Sequence, residues 1–383
     1  MRSILVFFHC PSNTGYAIDT YEERFYRMAL ELVDRSSNIH FAYPDTSEGL
    51  SDSLPADFSN IFEFDPFTED DSELARLKEY LSRHQVDFAF GVDQPLRQSC
   101  YRIMRQEGVE GIVSYWGAPM SSLYSGPLLW ARKLEVRLAS LTTPTPDHFI
   151  FESRAMAESA TLGRGIPEEK VSVVYLGVDT EEFRPEPRGS QYLTRELGIP
   201  PDATTVVYSG HFEERKGVSV LARAAIELTD RRGRDDFHLL LLGNKNGESQ
   251  PIRDILKGTE AASHVTFGGY RNDLNRIFPH CALGTIASTG WDSFTVSALE
   301  MASCGLPLLV SDLQGLVETI EKGTTGFVFP PGDHQALADR IELLLDNTSE
   351  RESMARAARH RILEDFSVER QVSQLADTCR RAY

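Results

Sequence analysis

Two acidic residues, Asp292 and Glu300, lie eight positions apart in a stretch that reads as loop, helix, turn and strand, residues 288–310. Asp292 or Ser293 is of a type that caps helices, which predicts a helix beginning near Phe294. If both acids were helical they would be about 12 Å apart along the axis, at about 1.5 Å per residue. Carboxylates that act together on one glycosidic bond are only about 5–9.5 Å apart. The two acids are therefore better suited to holding opposite ends of one long ligand.

The front of the predicted helix is suited to binding a phosphate. The first N–H groups of a helix have no partner within it and lie at its positive end. Here they belong to Phe294, Thr295 and Val296. A ligand with phosphate in its middle, such as a nucleotide sugar, fits this pattern. A buried helix with a solvated Asp and Glu is the alternative for this segment taken alone.

A second segment combines a strand, cationic residues and a helix. In chain order it contains a strand over 204–209, Gly210, His211, Arg215, Lys216, Gly217 and a helix predicted over about 219–230. A strand that ends in glycine and leads through cations into a helix is typical of a phosphate site. A lysine on a loop is more often simply solvated, and that alternative stands for Lys216 until its surroundings are considered.

The two segments together resemble the retaining glycosyltransferases of the family-4 type, also called glycosyl transferases group 1, which have the GT-B fold. The family pattern is an acid, seven residues, a glutamate, then Met-Ala and a Gly-x-Pro turn, and the run from Asp292 to Pro307 is similar to it. The resemblance implies that Asp292 binds the donor sugar, Glu300 the nucleotide ribose, and the helix amides the distal phosphate. It also implies that Lys216 helps to neutralise the leaving pyrophosphate.

The sequence departs from the family pattern at several positions. Asp292 stands where a Glu is usual, and Thr295 where a Gly is usual. His211 occupies the position of an Arg, for which the nearby Arg215 is expected to compensate. The family commonly carries a His after the strand at 111–115, and this sequence has none there. The identity of the donor and part of the catalytic layout are therefore left open.

The resemblance implies further contacts with less specificity. Gly15, in the loop after the first strand, would let backbone amides face the donor phosphates. Tyr270 or Arg271 would lie near the nucleotide base. Tyr115 and Trp116 end a strand, and ligands bind beyond the carboxyl ends of parallel strands, so these rings could stack on a sugar. Packing between domains is the alternative for both rings.

Strands and helices alternate along most of the chain, which favours α/β domains with doubly wound parallel sheets. The resemblance implies a GT-B fold, with two Rossmann-like domains facing across a cleft. We expect an acceptor-side domain over 1–185, a nucleotide-sugar-binding domain over 186–365 and a terminal helix over 366–383 that crosses back. The Pro-rich charged run 182–190 is the predicted linker, and the acidic run 46–65 is expected to be a surface connection.

Composition excludes some classes of protein and disfavours others. The formal charge is −18 with no long basic run, which disfavours a nucleic-acid partner because such binding depends on neutralising phosphates. Five scattered cysteines without metal spacing indicate reduced thiols and a cytoplasmic location. No metal or other cofactor is expected beyond the nucleotide-sugar co-substrate, and the sequence gives no indication of oligomeric state.

The sequence also bears on contact with membranes. No apolar run approaches 18 residues, so no membrane span is expected, and the N-terminus reads as a first strand rather than a signal peptide. The segment 128–141 could touch a membrane surface through Trp130, Arg132, Lys133 and Arg137. An ordinary domain helix is favoured there, because three cations are a weak electrostatic anchor.

The leading hypothesis is a metal-independent, retaining transfer of a sugar from a UDP- or GDP-sugar to a hydroxyl of a glycan, a lipid-linked or a small-molecule acceptor. One alternative is a GT-B protein that binds the nucleotide sugar without efficient transfer, as a partner subunit. Another is a sugar phosphorylase of the same fold. A nicotinamide dehydrogenase is disfavoured, because no GxGxxG opens a strand–helix–strand unit.

Overall fold

The computed structural model describes residues 1–14, 16–186, 191–245 and 247–383. The chain divides into two compact units, one formed by residues 1–175 with 369–383 and the other by residues 176–368. These limits lie near the expected boundaries at 185 and 365, which stay predictions as boundaries of independent domains. Of the predicted linker, residues 187–190 lie outside the described residues. In the part of the chain that is described, no helix has both the length and the apolar character needed to cross a bilayer.

The first unit contains a sheet of seven strands, all parallel. The strands β1 to β7 are Ile4–Phe7, Ile39–Tyr43, Ile61–Glu63, Phe88–Val92, Gly111–Trp116, His148–Phe151 and Val171–Val173. Their order across the sheet is β3-β2-β1-β4-β5-β6-β7. Strands β1 and β4 carry no polar side chain and are buried throughout, as expected where helices cover both faces of a doubly wound sheet. The order reverses between β1 and β4, which makes that edge the switch point where ligands bind in such folds.

The helices of the first unit connect these strands. The helices α1 to α5 are Tyr16–Leu30, Asp71–His84, Ser99–Gln106, Gly126–Thr142 and Arg154–Glu158. On one face of the sheet, Leu77 of α2 and Met104 of α3 join a buried cluster with Leu5 and Ala89 of the strands. The acidic run expected to be only a surface connection contains the short edge strand β3.

The second unit repeats this plan with six parallel strands. The strands β8 to β13 are Thr204–Ser209, Phe237–Leu242, Val265–Gly269, Leu283–Ile286, Leu308–Ser311 and Gly326–Phe329. The helices α6 to α12 are Tyr192–Leu197, Val218–Ile226, Gln250–Leu256, Leu274–Ile277, Val296–Ser303, His334–Asp346 and Thr348–Asp365. The strand order is β10-β9-β8-β11-β12-β13, so the switch point lies between β8 and β11. The predicted fold class of two doubly wound parallel sheets is confirmed.

The last helix, α13, spans Val368–Ala382, and from Glu369 onward it belongs to the first unit. Cys379 is fully buried, with its sulfur 3.7 Å from the sulfur of Met28 on α1. The Tyr383 hydroxyl donates to Asp87 at 3.0 Å. The first unit is therefore built from two separate parts of the chain.

Candidate functional site

The candidate site lies at the carboxyl edge of the second unit's sheet, where β8 and β11 diverge. The loop 210–217 leaves β8, and the loop 287–295 leaves β11. Gly217 has a φ of +66°, and a Cβ there would lie 1.8 Å from the carbonyl oxygen of Ala287. Only glycine fits, because it accepts the left-handed conformation and leaves room for the neighbouring backbone. The two loops are thus in close contact at the start of α7.

Backbone hydrogen bonds join the two loops. The carbonyl of Arg215 accepts from the N–H groups of Thr289 and Gly290 at 2.8 and 3.3 Å. The guanidinium of Arg215 donates to the carbonyl of Trp291 at 3.1 Å and pairs with Glu213 at 2.8 Å. These hydrogen bonds therefore hold Lys216 opposite Asp292.

Those two residues, Lys216 and Asp292, form an ion pair. The Lys216 ammonium lies 2.9 Å from both carboxylate oxygens of Asp292. The Asp292 carboxylate also accepts from the Ser288 hydroxyl and from the N–H of Ser293, at 2.5 and 3.0 Å. Asp292 is only 4% exposed, and the Lys216 side chain is 17% exposed. The sequence placed both residues at a phosphate and sugar site, and it did not predict that they would pair with each other.

The helix α10 begins later than the sequence predicted. Its first residue is Val296, and its N-cap is Thr295, whose side chain makes no capping hydrogen bond. The expected cap at Asp292 or Ser293 is therefore wrong, because the Asp292 carboxylate is engaged with Lys216 in the preceding loop. The unpartnered first amides shift accordingly to residues 296–298, so of the three predicted amides only that of Val296 lies within the helix.

Two hydroxyls beside this helix N-terminus are buried without a hydrogen-bond partner among the described residues. They are Ser293 Oγ and Thr295 Oγ1. A buried hydroxyl without a partner is costly, so most find one in the protein or in a bound group. Between them, Phe294 is buried, and its ring lies 5.2 Å from that of Phe366. The aromatic ring of this loop is therefore packed within the unit, whereas its two hydroxyls remain available for a hydrogen bond.

Glu300 is the fifth residue of α10 and is 2% exposed. Because Asp292 lies in the loop before the helix, the 12 Å separation expected for two helical residues does not apply to this pair. The negative charge of Glu300, after burial itself, raises the pKa of the Cys304 thiol. A buried carboxyl on the helix that begins at the site fits a contact with ligand hydroxyls, and this role stays a prediction.

The remaining predicted residues of this unit lie at the same edge of the sheet. Gly210 and His211 follow β8, and the carbonyl of His211, whose side chain is exposed, accepts from the buried Tyr208 hydroxyl at 2.7 Å. Tyr270 follows β10, is 55% exposed and has the Lys245 ammonium 4.7 Å from its ring centre.

Arg271, the second residue predicted near the base, is engaged within the unit. Its guanidinium holds Asp273 through two hydrogen bonds of 2.7 and 2.5 Å. These bonds, more than any other cause, lower the pKa of Asp273 to about 2. Of the two residues predicted near the base, Tyr270 is thus the more exposed.

In the first unit, the predicted residues are placed differently. Gly15 lies outside the described residues. Trp116 is half-buried against Phe151, with ring centres 6.4 Å apart, and its indole N–H donates to Ser114 at 2.8 Å. Tyr115 is fully buried, and its hydroxyl donates to Glu152 at 2.9 Å. The expectation that the Tyr115 ring offers a face to a sugar is therefore wrong.

Sequence reasoning missed a group of polar residues at the switch point of the first unit. His9 follows β1, and Asp93 follows the adjacent β4. The Nδ1 atom of His9 lies 3.3 Å from the carbonyl of Val92 and 3.8 Å from Asp93. Since the carbonyl can only accept, Nδ1 donates to it. Asp93 has a φ of +51° and accepts from the N–H of Gly117 at 3.0 Å.

Behind this pair lies Glu152, which follows β6. It accepts hydrogen bonds from the Tyr115 and Tyr21 hydroxyls. Burial raises the pKa of Glu152 to about 7, and burial also raises the pKa of Asp93. Each of these acids directly follows an apolar strand, and that position is the sequence feature that could have identified them. Across the described residues, no group of three or more His, Cys, Asp or Glu side chains is arranged to hold a metal ion.

Part of the second unit matches a known protein family. Residues 191–361 match the family model described as Glycosyl transferases group 1. The chain is 31% identical over 240 residues to alpha-D-kanosaminyltransferase of Streptomyces kanamyceticus, covering 60% of this chain and 57% of that protein. It is 27% identical over 288 residues to D-inositol 3-phosphate glycosyltransferase of Rhodococcus opacus, covering 70% and 63%. The chain thus spans about three fifths of the length of these curated relatives.

Solved structures share the fold along the whole chain. A glycosyltransferase from Rickettsia africae superposes with a TM-score of 0.80 at 14% identity, covering 100% of this chain and 98% of that one. Anabaena Alr3699/HepE in complex with UDP gives 0.74 at 17% identity, covering 99% and 100%. The same protein in complex with UDP-glucose gives 0.71 at 17% identity, covering 99% of each chain. Residues 191–361 thus resemble the glycosyl transferases group 1 family, and the whole chain shares the GT-B fold with these solved structures.

Proposed function

We propose that this chain transfers a sugar from a nucleoside diphosphate sugar, most simply a UDP-sugar, to a hydroxyl group, with retention at the anomeric carbon. The observation that carries the proposal is the Lys216–Asp292 pair at the switch point, directly before the N-terminus of α10. The family match over residues 191–361 supports the reaction type. The UDP and UDP-glucose complexes of Anabaena HepE support the choice of nucleotide.

The donor diphosphate would lie between Lys216 and the first turn of α10. An ammonium has three N–H groups, and two bonds to Asp292 leave one for a phosphate oxygen. The amides of residues 296–298 and the unpartnered hydroxyls of Ser293 and Thr295 would supply further donors. This arrangement explains why those hydroxyls are buried without partners.

Asp292 has a different proposed role from the one its sequence position suggests. Its carboxylate already accepts from Lys216, Ser288 and Ser293. To bind sugar hydroxyls it must give up one of these partners. We therefore assign to Asp292 first the positioning of Lys216, and a contact with the donor sugar only when a bound diphosphate draws the ammonium away. Glu300 would bind the ribose, and Tyr270 would lie against the base.

In the proposed reaction the bond between the anomeric carbon and the phosphate oxygen breaks, and its electron pair goes to the phosphate. The acceptor oxygen bonds to the same face of that carbon, and its proton passes to the departing phosphate. Negative charge develops on the phosphate, where Lys216 and the α10 amides would stabilise it. One such donor is worth about 3–4 kcal/mol of barrier. No metal is needed in this scheme.

The first unit would serve the sugar and the acceptor. His9 lies at the switch point of that unit with its Nδ1 bonded to the Val92 carbonyl, and Asp93 lies beside it. We propose that His9 forms a hydrogen bond with a substrate hydroxyl through Nε2, in place of the His that the family carries after β5. We further propose a cytoplasmic location, where the five free thiols would stay reduced.

Calorimetric titration with UDP, GDP and ADP tests the donor site. Lys216→Ala should weaken binding of the best nucleotide at least about tenfold, because it removes a charge-assisted contact. The matched control is Lys322→Ala, which breaks an exposed Lys–Asp pair of 3.4 Å in the same unit and should leave binding unchanged. Undiminished binding by Lys216→Ala would overturn the proposed site.

A second function is favoured by one observation, that Asp292 is already occupied by Lys216. A protein that binds the nucleotide sugar without transferring it would show tight UDP-sugar binding but no transfer or hydrolysis in single-turnover assays across a broad acceptor panel. Phosphate-dependent cleavage of an oligosaccharide would indicate a phosphorylase instead. Transfer to any hydroxyl acceptor would confirm the leading proposal over both.

A further inference from the structure

Exposed apolar side chains are concentrated on one short part of the first unit. Among the described residues, thirteen large hydrophobic side chains are exposed, and six of them lie between Leu123 and Leu141. Single exposed hydrophobics are ordinary on protein surfaces, whereas a contiguous group marks a binding surface. This group lies on and just before helix α4, which the proposed transfer reaction does not use.

Four of these six exposed residues form one stripe along α4. We call the set Trp130, Leu134, Leu138 and Leu141 the α4 stripe. Their spacing of four, four and three residues places them on the same side of a helix. They are 68%, 40%, 55% and 79% exposed. The opposite side holds the helix to its unit, where Val136 is buried in a cluster with Phe149 and Met156. The stripe therefore faces outward although the helix is anchored.

The charged residues of α4 are arranged around the stripe. Lys133 and Arg137 are exposed, and each lies three residues after a member of the stripe, so they border one edge of it. The one acid of the helix, Glu135, lies towards the other edge and pairs with Arg132 at 3.0 Å. The surface that α4 presents is thus apolar with a cationic border.

We propose that the α4 stripe inserts into the surface of a membrane that contains anionic lipids. An apolar face bordered by Lys and Arg is the pattern of helices that lie in the plane of a bilayer interface. Trp130 is suited to the boundary between headgroups and acyl chains. Lys133 and Arg137 complement lipid phosphates, and this charge complementarity favours a bilayer over a second copy, whose stripe would bring like charges against them.

The structure adds an apolar surface to the cations that the sequence indicated in this segment. Three cations alone are a weak anchor, and the chain carries a formal charge of −18. The stripe adds four apolar side chains whose transfer out of water supplies the main driving force. Binding should therefore depend first on the stripe and second on anionic lipid. This inference does not rest on the proposed transferase activity.

Flotation of the full chain with vesicles tests the proposal. The chain should float with vesicles of mixed phosphatidylglycerol and phosphatidylcholine, and much less with phosphatidylcholine alone. Leu134→Gln with Leu138→Gln should lower the bound fraction at least about tenfold, because a Leu transferred from water gains about 1.5–3 kcal/mol. Lys133→Gln with Arg137→Gln should lower it about fivefold for each cation.

The matched control is Leu363→Gln, which changes an equally exposed leucine of α12 and should leave flotation unaffected. All these positions are exposed, so the variants should melt at the wild-type temperature. Absence of flotation, or flotation unchanged by the paired Leu variant, would overturn the proposal. So would light scattering that shows a wild-type dimer which the paired Leu variant converts to a monomer, since a second copy would then cover the stripe.

Discussion

Replacing Asp292 with Asn should strengthen UDP binding while weakening the fold. The substitution keeps the size and shape of the side chain but removes its negative charge. In the wild type the Asp292 carboxylate lies 2.9 Å from the Lys216 ammonium, and Asp292 is 4% exposed. Without it, the whole charge of Lys216 is available to a diphosphate. An anionic ligand also no longer meets a carboxylate at the site.

The size of both effects follows from the burial of the pair. Breaking a fully buried ion pair costs about 3–5 kcal/mol. Here the Lys216 side chain is 17% exposed, and the amide oxygen introduced by Asp292→Asn could still accept from the N–H of Ser293. We therefore expect a loss of about 2–3 kcal/mol in the free energy of unfolding. Two unit charges 4 Å apart near a protein surface interact by at most about 4 kcal/mol. If a modest part of the repulsion between the carboxylate and the diphosphate is removed, UDP should bind about three- to tenfold more tightly.

Calorimetry at fixed salt measures the affinity, and urea unfolding measures the stability. Lys216→Ala is the matched comparison, because it breaks the same pair but removes the cation, so its UDP affinity should fall. The double variant should be less destabilised than the sum of the two single variants, since either change alone already breaks the pair. If Asp292→Asn lost UDP affinity in parallel with Lys216→Ala, the carboxylate would not compete with the ligand, and the reasoning would be refuted.

Three further outcomes are expected. Gly217→Ala should destabilise the second unit by about 2–4 kcal/mol in urea unfolding, since the new Cβ would lie 1.8 Å from the Ala287 carbonyl oxygen. Gly198 also has a positive φ but has open space around it, so Gly198→Ala should cost only about 1 kcal/mol. Equal losses of stability in the two variants would contradict this. The pKa of Glu152 is about 7 in the folded protein and lower in the unfolded chain. The contribution of Glu152 to folding stability is therefore complete below the unfolded pKa and is lost as pH rises through about 7. Glu152→Gln should therefore gain up to about 3 kcal/mol relative to wild type between pH 4.5 and 8, and a constant difference across that range would show that Glu152 does not titrate there. His9→Ala should lower kcat/KM for transfer about tenfold, the value of one hydrogen bond, with UDP affinity unchanged, and a parallel loss of UDP affinity would count against a contact with the sugar or acceptor.

Much of the fold could be predicted because its signals are local. The largely apolar runs at Ile4–Phe7 and Phe237–Leu242 read as strands, and they are fully buried interior strands of the two sheets. Edge strand β3 was missed because three residues within an acidic, turn-rich run carry too little pattern. The predicted fold class therefore depended on the long, regular elements, and these are the elements that form the sheets.

The candidate site was predictable by residue but not by contact. Lys216 and Asp292 were identified from the motif around each, yet their pairing joins loops 76 positions apart in the sequence. The same pairing removes Asp292 from its expected capping role, because a tertiary ion pair competes with a local hydrogen bond. Glu152 and Asp93 were missed because each is a single acid after a strand, without a motif of its own.

Because the first unit is built from two separate parts of the chain, it cannot fold completely early in translation. Residues 369–383 complete that unit, with Cys379 fully buried beside Met28. The intervening 176–368 must leave the ribosome before the first unit can acquire its last helix. Since domains fold as they emerge, the second unit could reach its native state while the first unit still lacks its last helix. A nonsense codon shortly before residue 369 would then spare the later unit and leave the earlier one exposing apolar surface to chaperones and proteases.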